Sequence, residues 1–113
     1  MEHIMKLQPK YYSFILNGTK RIEIRLFDEK RQKIKIKDTI KFLKEPELNE
    51  AFYAKVVGLL RYSSFEEMFK DFDISILSDK SMTKEELIYV LEQFYPKEKQ
   101  EQYGVLGIRI ELL

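Results

Sequence analysis

The sequence predicts a small α+β protein in which a mixed β-sheet curls into a barrel and helices seal its ends. The length of 113 residues suits one domain, which we expect to span residues 1–113. Hydrophobic residues make up 44% of the chain and charged residues 35%, the composition of a globular protein. Strand-like and helix-like segments follow one another in the order β-α-β-β-β-α-α-β. This order lacks the regular βαβ alternation of a doubly wound sheet.

A short strand and a helix are predicted first. The strand covers His3–Leu7, and Pro9 suits the first turn of the helix because its missing N–H is not needed there. Glycine tolerates the left-handed conformation that commonly follows a helix, so Gly18 marks the end of this one. The expected buried face follows helical spacing and consists of Tyr11, Phe14 and Ile15.

Strict alternation begins at Arg21 and predicts a strand that reaches Phe27. The apolar members Ile22, Ile24 and Leu26 point to one side of this strand. The charged members Arg21, Glu23 and Arg25 point to the other side. One face is therefore expected in the core, and the other carries charges.

The middle of the chain predicts further strands. Lys33–Lys37 alternates again, and a turn at Asp38 is expected to lead into a strand over Ile40–Leu43. A longer strand is predicted over Phe52–Tyr62, which is rich in β-branched and aromatic residues. Gly58 lies inside it and indicates a bulge or bend.

Two helices follow, and each begins with a capping box, at Ser64–Glu67 and at Thr83–Glu86. Their apolar stripes consist of Phe65, Met68, Phe69 and Phe72 in the first helix and of Leu87, Val90, Leu91 and Phe94 in the second. Residues 97–102 predict one more helical turn, and residues 105–112 predict a final strand. The stripe of the first of these helices is interpreted as core packing.

Composition excludes several chemistries. The chain has no cysteine, which excludes disulfides, thiol nucleophiles and thiolate metal sites, and its one histidine, His3, cannot form a cluster. No phosphate-binding glycine loop, dinucleotide-binding turn or zinc-protease motif is present. We therefore predict no metal and no cofactor. No apolar run is long enough for a membrane span, and an untargeted chain without cysteine is expected in the cytoplasm.

Charge is distributed unevenly along the chain. Residues 20–44 carry ten Lys or Arg and four Asp or Glu, a net charge of +6, whereas residues 45–113 carry a net charge of −6. A basic segment on an acidic body favours a local surface for phosphate or another anion. Solvated strand faces explain the same pattern equally well.

Three charged residues lie close together in the sequence where the first predicted helix ends and the alternating strand begins. Lys20, Glu23 and Arg25 fall within six residues, and Glu23 and Arg25 share a strand face. Such a cluster could clamp a phosphate, hydrogen-bond a base edge, or lower the pKa of the lysine through the neighbouring arginine. The alternative is an exposed strand face with alternating charges.

The segment Asn17–Arg25 resembles the G-x-K-x-x-E-x-R signature of ASCH domains, a branch of the PUA-like superfamily. The stretches 28–34, 61–68, 95–99 and 103–108 also resemble that family, in the same order along the chain. The resemblance implies a PUA-like pseudo-barrel with flanking helices, whose cleft is lined by Lys20, Glu23 and Arg25. It also implies binding of RNA or a modified nucleoside, in connection with translation or RNA metabolism.

A related enzyme, the bacterial N4-acetylcytidine amidohydrolase, provides an alternative function. Lys20 matches its lysine, but Glu23 stands where that enzyme has a threonine, and its glutamate has no assigned counterpart here. Lys20 and Glu23 are nevertheless the candidate catalytic residues if the protein is such an amidohydrolase or a ribonuclease. A protein-interaction domain with a vestigial cleft is the third interpretation. No sequence feature specifies an oligomeric state.

Further RNA contacts are expected outside the cleft. Alternation should place Lys33 and Lys35 on one strand face, where they can neutralise phosphates in a salt-dependent manner. Tyr103 lies at the end of an element, where its ring could stack on a base or seal the barrel. The complete set of expected RNA-binding residues is Lys20, Glu23, Arg25, Arg31, Lys33, Lys35, Arg61 and Tyr103.

Overall fold

A five-stranded mixed sheet forms the centre of the protein, in a computed structural model that describes all 113 residues. Its strands are β1 (Glu2–Leu7), β2 (Ile22–Leu26), β3 (Thr39–Lys44), β4 (Ala51–Tyr62) and β5 (Val105–Leu112). Their spatial order is β1-β3-β4-β5-β2, with β1 parallel to β3 and the other neighbours antiparallel. The sheet curls into a half-barrel with flanking helices, so the predicted α+β class is confirmed.

The helices are α1 (Pro9–Leu16), α2 (Phe65–Phe69), α3 (Ile74–Leu77), α4 (Lys84–Phe94) and α5 (Lys97–Tyr103). None of them combines the length and the apolar character that a bilayer span requires. Thr83 and Glu86 form the predicted capping box of α4. Ser64 caps α2 by accepting from the Glu67 N–H, but the Glu67 carboxylate binds Lys70 instead of completing the box.

Two apolar clusters lie on the two faces of the curled sheet. The first fills the inside of the curl, where α1 packs on β1, β3, β4 and β5 around the fully buried Ile40 and Phe42. The second lies between β2 and helices α2 to α4, and its centre is formed by Ile22, Phe65 and Met68. The apolar side of β2 therefore belongs to the second cluster, as alternation predicts.

Gly58 and Gly104 lie where the backbone departs from regular geometry. The register between β4 and β5 shifts between Val56 and Gly58, which confirms the predicted bulge. A Cβ at Gly58 would lie 3.1 Å from Cδ of Arg109, so the absence of a side chain lets the two strands approach. Gly104 has φ +76 where α5 gives way to β5, a conformation that favours glycine.

The buried face of α1 differs from the prediction by one position. Tyr12 and Ile15 are buried, whereas Tyr11 and Phe14 are half-buried. The ring of Tyr12 packs edge-on against Phe52 of β4, with 4.8 Å between the ring centroids. The helix is therefore rotated about its axis relative to the prediction, and Tyr11 lines a pocket beside the sheet.

The strand predicted over Lys33–Lys37 is wrong. Residues 31–33 form one turn of 3₁₀ helix, and residues 34–38 form a turn in which Lys37 has φ +80. The carboxylate of Asp38 accepts from the Lys35 N–H at 3.0 Å and so closes the turn. Ile34 is buried while Ile36 is 56% exposed, so the alternating pattern does not correspond to two strand faces.

Asp38 therefore holds the connection into β3, and acid should weaken it. Hydrogen bonds from His3 and from the Lys35 N–H lower the pKa of Asp38 from 3.8 to about 2. A carboxyl group whose pKa is lowered by folding stabilises the protein above its unfolded pKa, and this contribution disappears as the pH falls from about 4 to 2. We expect Asp38→Asn to lower the free energy of unfolding by about 1–2 kcal/mol at pH 6.

Urea unfolding of the wild type and the variant at pH 6 and pH 3 measures this effect. The difference between them should be roughly halved at pH 3. Glu47→Gln is the control, because Glu47 is exposed and forms no ion pair. A difference for Asp38→Asn that stays constant between the two pH values would contradict the role of its ionisation.

Candidate functional site

The turn between α1 and β2 directs Lys20 into the interior. Gly18 has φ +84, and the Lys20 N–H donates to the Phe14 carbonyl at 3.0 Å, so the chain reverses tightly after the helix. The side chain of Lys20 is 3% exposed. Its Nζ donates to the carbonyls of Ile22 and Leu77, both at 2.6 Å. The ammonium thus ties the start of β2 to the end of α3.

Glu23 lies between two cations. Its Oε1 is 3.4 Å from Nζ of Lys20, and its Oε2 accepts from both Nε and Nη2 of Arg25, at 3.0 and 2.7 Å. Glu23 is only 5% exposed, so this carboxylate is almost completely removed from water. The structure therefore brings the three predicted residues together in one cluster, here called the Lys20–Glu23–Arg25 cluster.

Arg25 also connects the two edges of the sheet. Its Nη2 donates to the carbonyl of Lys6 at 3.0 Å. Lys6 belongs to β1 and Arg25 to β2, which are the two edge strands and do not pair with each other. The cluster consequently lies in the opening of the half-barrel, where the backbone ladder is interrupted.

Burial and mutual attraction set the electrostatics of the cluster. Burial lowers the pKa of Lys20, and the attraction of Glu23 opposes this without cancelling it. Burial alone would raise the pKa of Glu23, but the charges of Arg25 and Lys20 outweigh burial and hold it below 4.5. The lowered pKa of Lys20 is thus caused mainly by desolvation, whereas the sequence suggested the neighbouring arginine as the cause.

A pocket of about 260 Å³ opens above the cluster. Its polar floor contains Lys20, Glu23 and Arg25, and the end of β1 forms one rim. The facing wall is apolar and comes mainly from α4. The apolar and aromatic lining residues are Leu7, Tyr11, Ile24, Leu87, Val90, Leu91, Phe94 and Tyr95.

This arrangement suits recognition of a small organic group. The Glu23 carboxylate is an acceptor, and the Arg25 guanidinium, which also interacts with the Tyr95 hydroxyl, supplies donors. The apolar wall can cover the faces of a ring while the floor bonds to its edge. No group of three or more His, Asp or Glu side chains is arranged to hold a metal ion.

The other predicted RNA-binding residues lie outside the pocket. Arg31 pairs with Asp28 at 2.8 Å, and Lys33 and Lys35 are exposed on the 3₁₀ turn and the loop that follows. The guanidinium of Arg61 lies 3.9 Å from the ring centroid of Phe27. Tyr103 packs against the second apolar cluster, which is the sealing role that its position also allowed.

The apolar wall was not predicted from the sequence. The stripe of α4 suggests a core face, but Leu87 is its only buried member, and Phe94 is 60% exposed. Val90, Leu91 and Phe94 face the pocket together with Tyr11 and Tyr95. An apolar stripe has the same spacing whether it covers a core or a cavity, so periodicity alone could not distinguish the two.

The curled, open mixed sheet with flanking helices matches the fold of solved ASCH domain structures. The ASCH domain family model matches residues 5–113, and the chain belongs to that family. The family is generally linked to RNA binding.

Solved structures share this fold. The crystal structure of hypothetical protein PH0355 is 39% identical, with a TM-score of 0.87 and full coverage of both chains. The solution structure of protein PF0455 from Pyrococcus furiosus is 37% identical, with a TM-score of 0.80, and the match covers 100% of this chain and 98% of that one.

An ASCH domain from Lactobacillus crispatus is only 12% identical but has a TM-score of 0.66, over 98% of this chain and 79% of its own. At that identity the likeness establishes the fold alone. Among curated proteins, none matches the chain at a significant level.

Replacement of Lys20 should reveal how strongly the cluster supports the fold. Lys20→Met removes one cation from Glu23 and leaves two buried carbonyls without their donor. We expect a loss of about 2–4 kcal/mol in the free energy of unfolding at pH 7, measured with urea.

Lys10→Met is the matched control. Nζ of Lys10 lies 5.8 Å from the Tyr11 ring centroid, as Nζ of Lys20 does, but Lys10 is exposed. Its replacement should change stability by less than about 0.5 kcal/mol. Equal losses in the two variants would show that the buried hydrogen bonds of Lys20 do not account for its effect on the free energy of unfolding.

Proposed function

We propose that the pocket between β1 and β2 binds a nucleobase, presented by RNA or by a free nucleoside. The observation that carries this proposal is the Glu23 carboxylate, buried between Lys20 and Arg25 at the floor of a pocket with an aromatic and aliphatic wall. A nucleobase combines an apolar face with a polar edge, and the pocket combines the complementary surfaces. The link of the ASCH family to RNA agrees with this proposal.

The volume of the pocket limits the ligand. Drug-sized ligands occupy pockets of about 300–1,000 Å³. At about 260 Å³, this pocket is of a size for one base or nucleoside and is too small for a duplex. An unpaired base is therefore the form of RNA that the pocket can accept.

The charges at the floor favour a neutral ring over a phosphate. Glu23 would repel a phosphate oxygen placed beside it, and its two cations are already engaged by the carboxylate. An amino group on a base would instead find a strong acceptor in Glu23. Arg25 would offer donors to a ring nitrogen or carbonyl next to that amino group.

The exposed lysines that follow β2 in the sequence would contact the phosphates of the RNA backbone. Lys30, Lys33, Lys35 and Lys37 are all exposed, although they do not share one strand face. Lysines in this position can neutralise phosphates without reading the sequence. Together with the pocket, they support a role in RNA metabolism or translation in the cytoplasm.

The enzymatic alternative has less support. A catalytic base at Lys20 would need a free lone pair, but its ammonium donates to two carbonyls and faces Glu23. Glu23 is held by Arg25 and is accordingly a fixed acceptor instead of a mobile proton carrier. A binding function requires no change in the protonation or the position of Lys20 and Glu23.

Titration calorimetry with cytidine, uridine, adenosine and guanosine tests the proposed pocket. We expect micromolar to millimolar binding of at least one of them, and Phe94→Ala should weaken it about fivefold or more because a stacking surface is lost. Despite burial, the charges of Arg25 and Lys20 lower the pKa of Glu23 from 4.5, so the carboxylate should act as the acceptor at pH 7, where the titrations are made.

Tyr89→Ala is the matched control. Tyr89 lies on the same helix as Phe94, is 67% exposed and does not line the pocket, so its loss should leave the affinity unchanged. Glu23→Gln should change the order of preference among the four nucleosides. No binding by the wild type, or equal effects of the two aromatic substitutions, would overturn the proposal.

Salt dependence separates the backbone contribution from the pocket. Replacing both Lys33 and Lys35 with Gln should weaken the binding of all single-stranded RNA heptamers and reduce the slope of log affinity against log salt by about 1–2. Glu23→Gln should leave that slope unchanged. The control replaces Lys80 and Lys84 with Gln on the acidic part of the chain. Identical slopes in all variants would remove the basic segment from the RNA surface.

A further inference from the structure

An arginine–aromatic pair lies on the sheet outside the pocket. Arg61 is exposed at the end of β4, and the central carbon of its guanidinium is 3.9 Å from the centroid of the Phe27 ring. Phe27 is half-buried against the first apolar cluster, so its ring is fixed and supports the guanidinium from below. The pair therefore presents a planar cation, restrained by packing, on the surface.

This pair lies on the same side of the sheet as the polar floor of the pocket. Arg25 and Arg61 both pair in register with Leu106, from opposite sides of β5. Directly paired residues point to the same face, and two strand spacings put the Cα atoms of the two arginines about 10 Å apart. Phe27 follows Arg25 by two residues and continues the pairing, since its N–H donates to the Gly104 carbonyl at 3.0 Å.

The charge of the segment that follows Phe27 indicates which ligand would bind at the pair. Residues 28–37 follow Phe27 directly and carry five Lys or Arg against Asp28 and Glu29. One of these acids, Asp28, is already paired with Arg31. The remaining positive charge is complementary to the phosphodiester backbone of RNA, and a flat cation beside it is suited to stacking on a base.

We propose that the Phe27–Arg61 pair is a second base subsite, on which the nucleotide next to the one in the pocket stacks. This inference rests on the proposed function of the pocket and extends it, because the ligand becomes a step of single-stranded RNA instead of an isolated nucleoside. Phe27 holds the guanidinium in place before binding, which reduces the entropy lost when the base arrives. The lysines of residues 28–37 would then contact the phosphates of the RNA backbone.

The experiment compares each of the four nucleosides with the dinucleoside monophosphates that add adenosine on either side of it, by titration calorimetry. For the wild type, we expect one of the two dinucleotide orders to bind about tenfold more tightly than the nucleoside. Arg61→Ala should abolish this gain while leaving the affinity for the nucleoside unchanged. Arg61→Lys keeps the charge without the plane and should lose most of the gain as well.

Arg109→Ala is the matched control. Arg109 is exposed on β5, and its guanidinium lies 5.4 Å from the Phe72 ring centroid on the opposite side of the sheet, so the gain should persist in this variant. A full gain in Arg61→Lys would show charge attraction without stacking and would overturn the subsite. The same gain in Arg61→Ala, or equal losses in Arg61→Ala and Arg109→Ala, would overturn it too.

The outcomes also separate this inference from the pocket. Nucleoside binding without any gain from a second nucleotide would leave the pocket standing and reject the subsite. Dinucleotide binding that depends on Arg61, with no nucleoside binding and no effect of Phe94→Ala, would reject the pocket and keep a stacking contact at Arg61. No binding of any of these ligands would reject both.

Discussion

The buried carboxylate of Glu23 is the constraint on which the arrangement of this protein depends. A carboxylate without water requires compensating charge, and here it receives an ammonium at 3.4 Å and two guanidinium hydrogen bonds. Each compensating group is in turn tied to a different element, Lys20 to α3 and Arg25 to β1. Burying one charge thereby fixes the positions of three segments that are far apart in sequence.

The same cluster explains how the half-barrel keeps an open edge. Strands β1 and β2 flank a gap, and unpaired edges normally invite pairing with another chain. In this protein the Arg25 side chain occupies the gap and bonds to the Lys6 carbonyl, while α4 covers the opening with apolar side chains. The opening is thus converted from an unsatisfied edge into a pocket with a polar floor and an apolar wall.

Such a cluster contributes less to stability than its contacts suggest. Removing three charged groups from water costs several kcal/mol for each ion, and the ion pairs recover this cost only in favourable geometry. In other proteins, replacing buried ion pairs by apolar residues of similar volume is often neutral or stabilising. The polar cluster instead gives the pocket a fixed pattern of donors and acceptors, which is what selective recognition of a small polar ring requires.

The sequence by itself determined most of the local elements and the identity of the cluster. The alternation from Ile22 to Leu26, the glycine at the β4 bulge and the cap at Thr83 were all recognisable, since each depends on neighbouring residues. The signature that includes Lys20, Glu23 and Arg25 indicated both the ASCH family and the residues of the candidate site.

Only the tertiary structure decided the environment of these elements. Alternation predicts that β2 has a charged face, but it does not distinguish a face exposed to solvent from one that lines a cleft. The curl of the sheet turned that face inward. The partner of Lys20 at Leu77 lies 57 residues away, in a helix whose four residues carry no periodic signal. The α4 stripe became a pocket wall because of where the helix packs, and the lysines at 33–37 lost their strand because Asp38 closed a turn. These outcomes depend on contacts between distant segments, which local patterns do not contain.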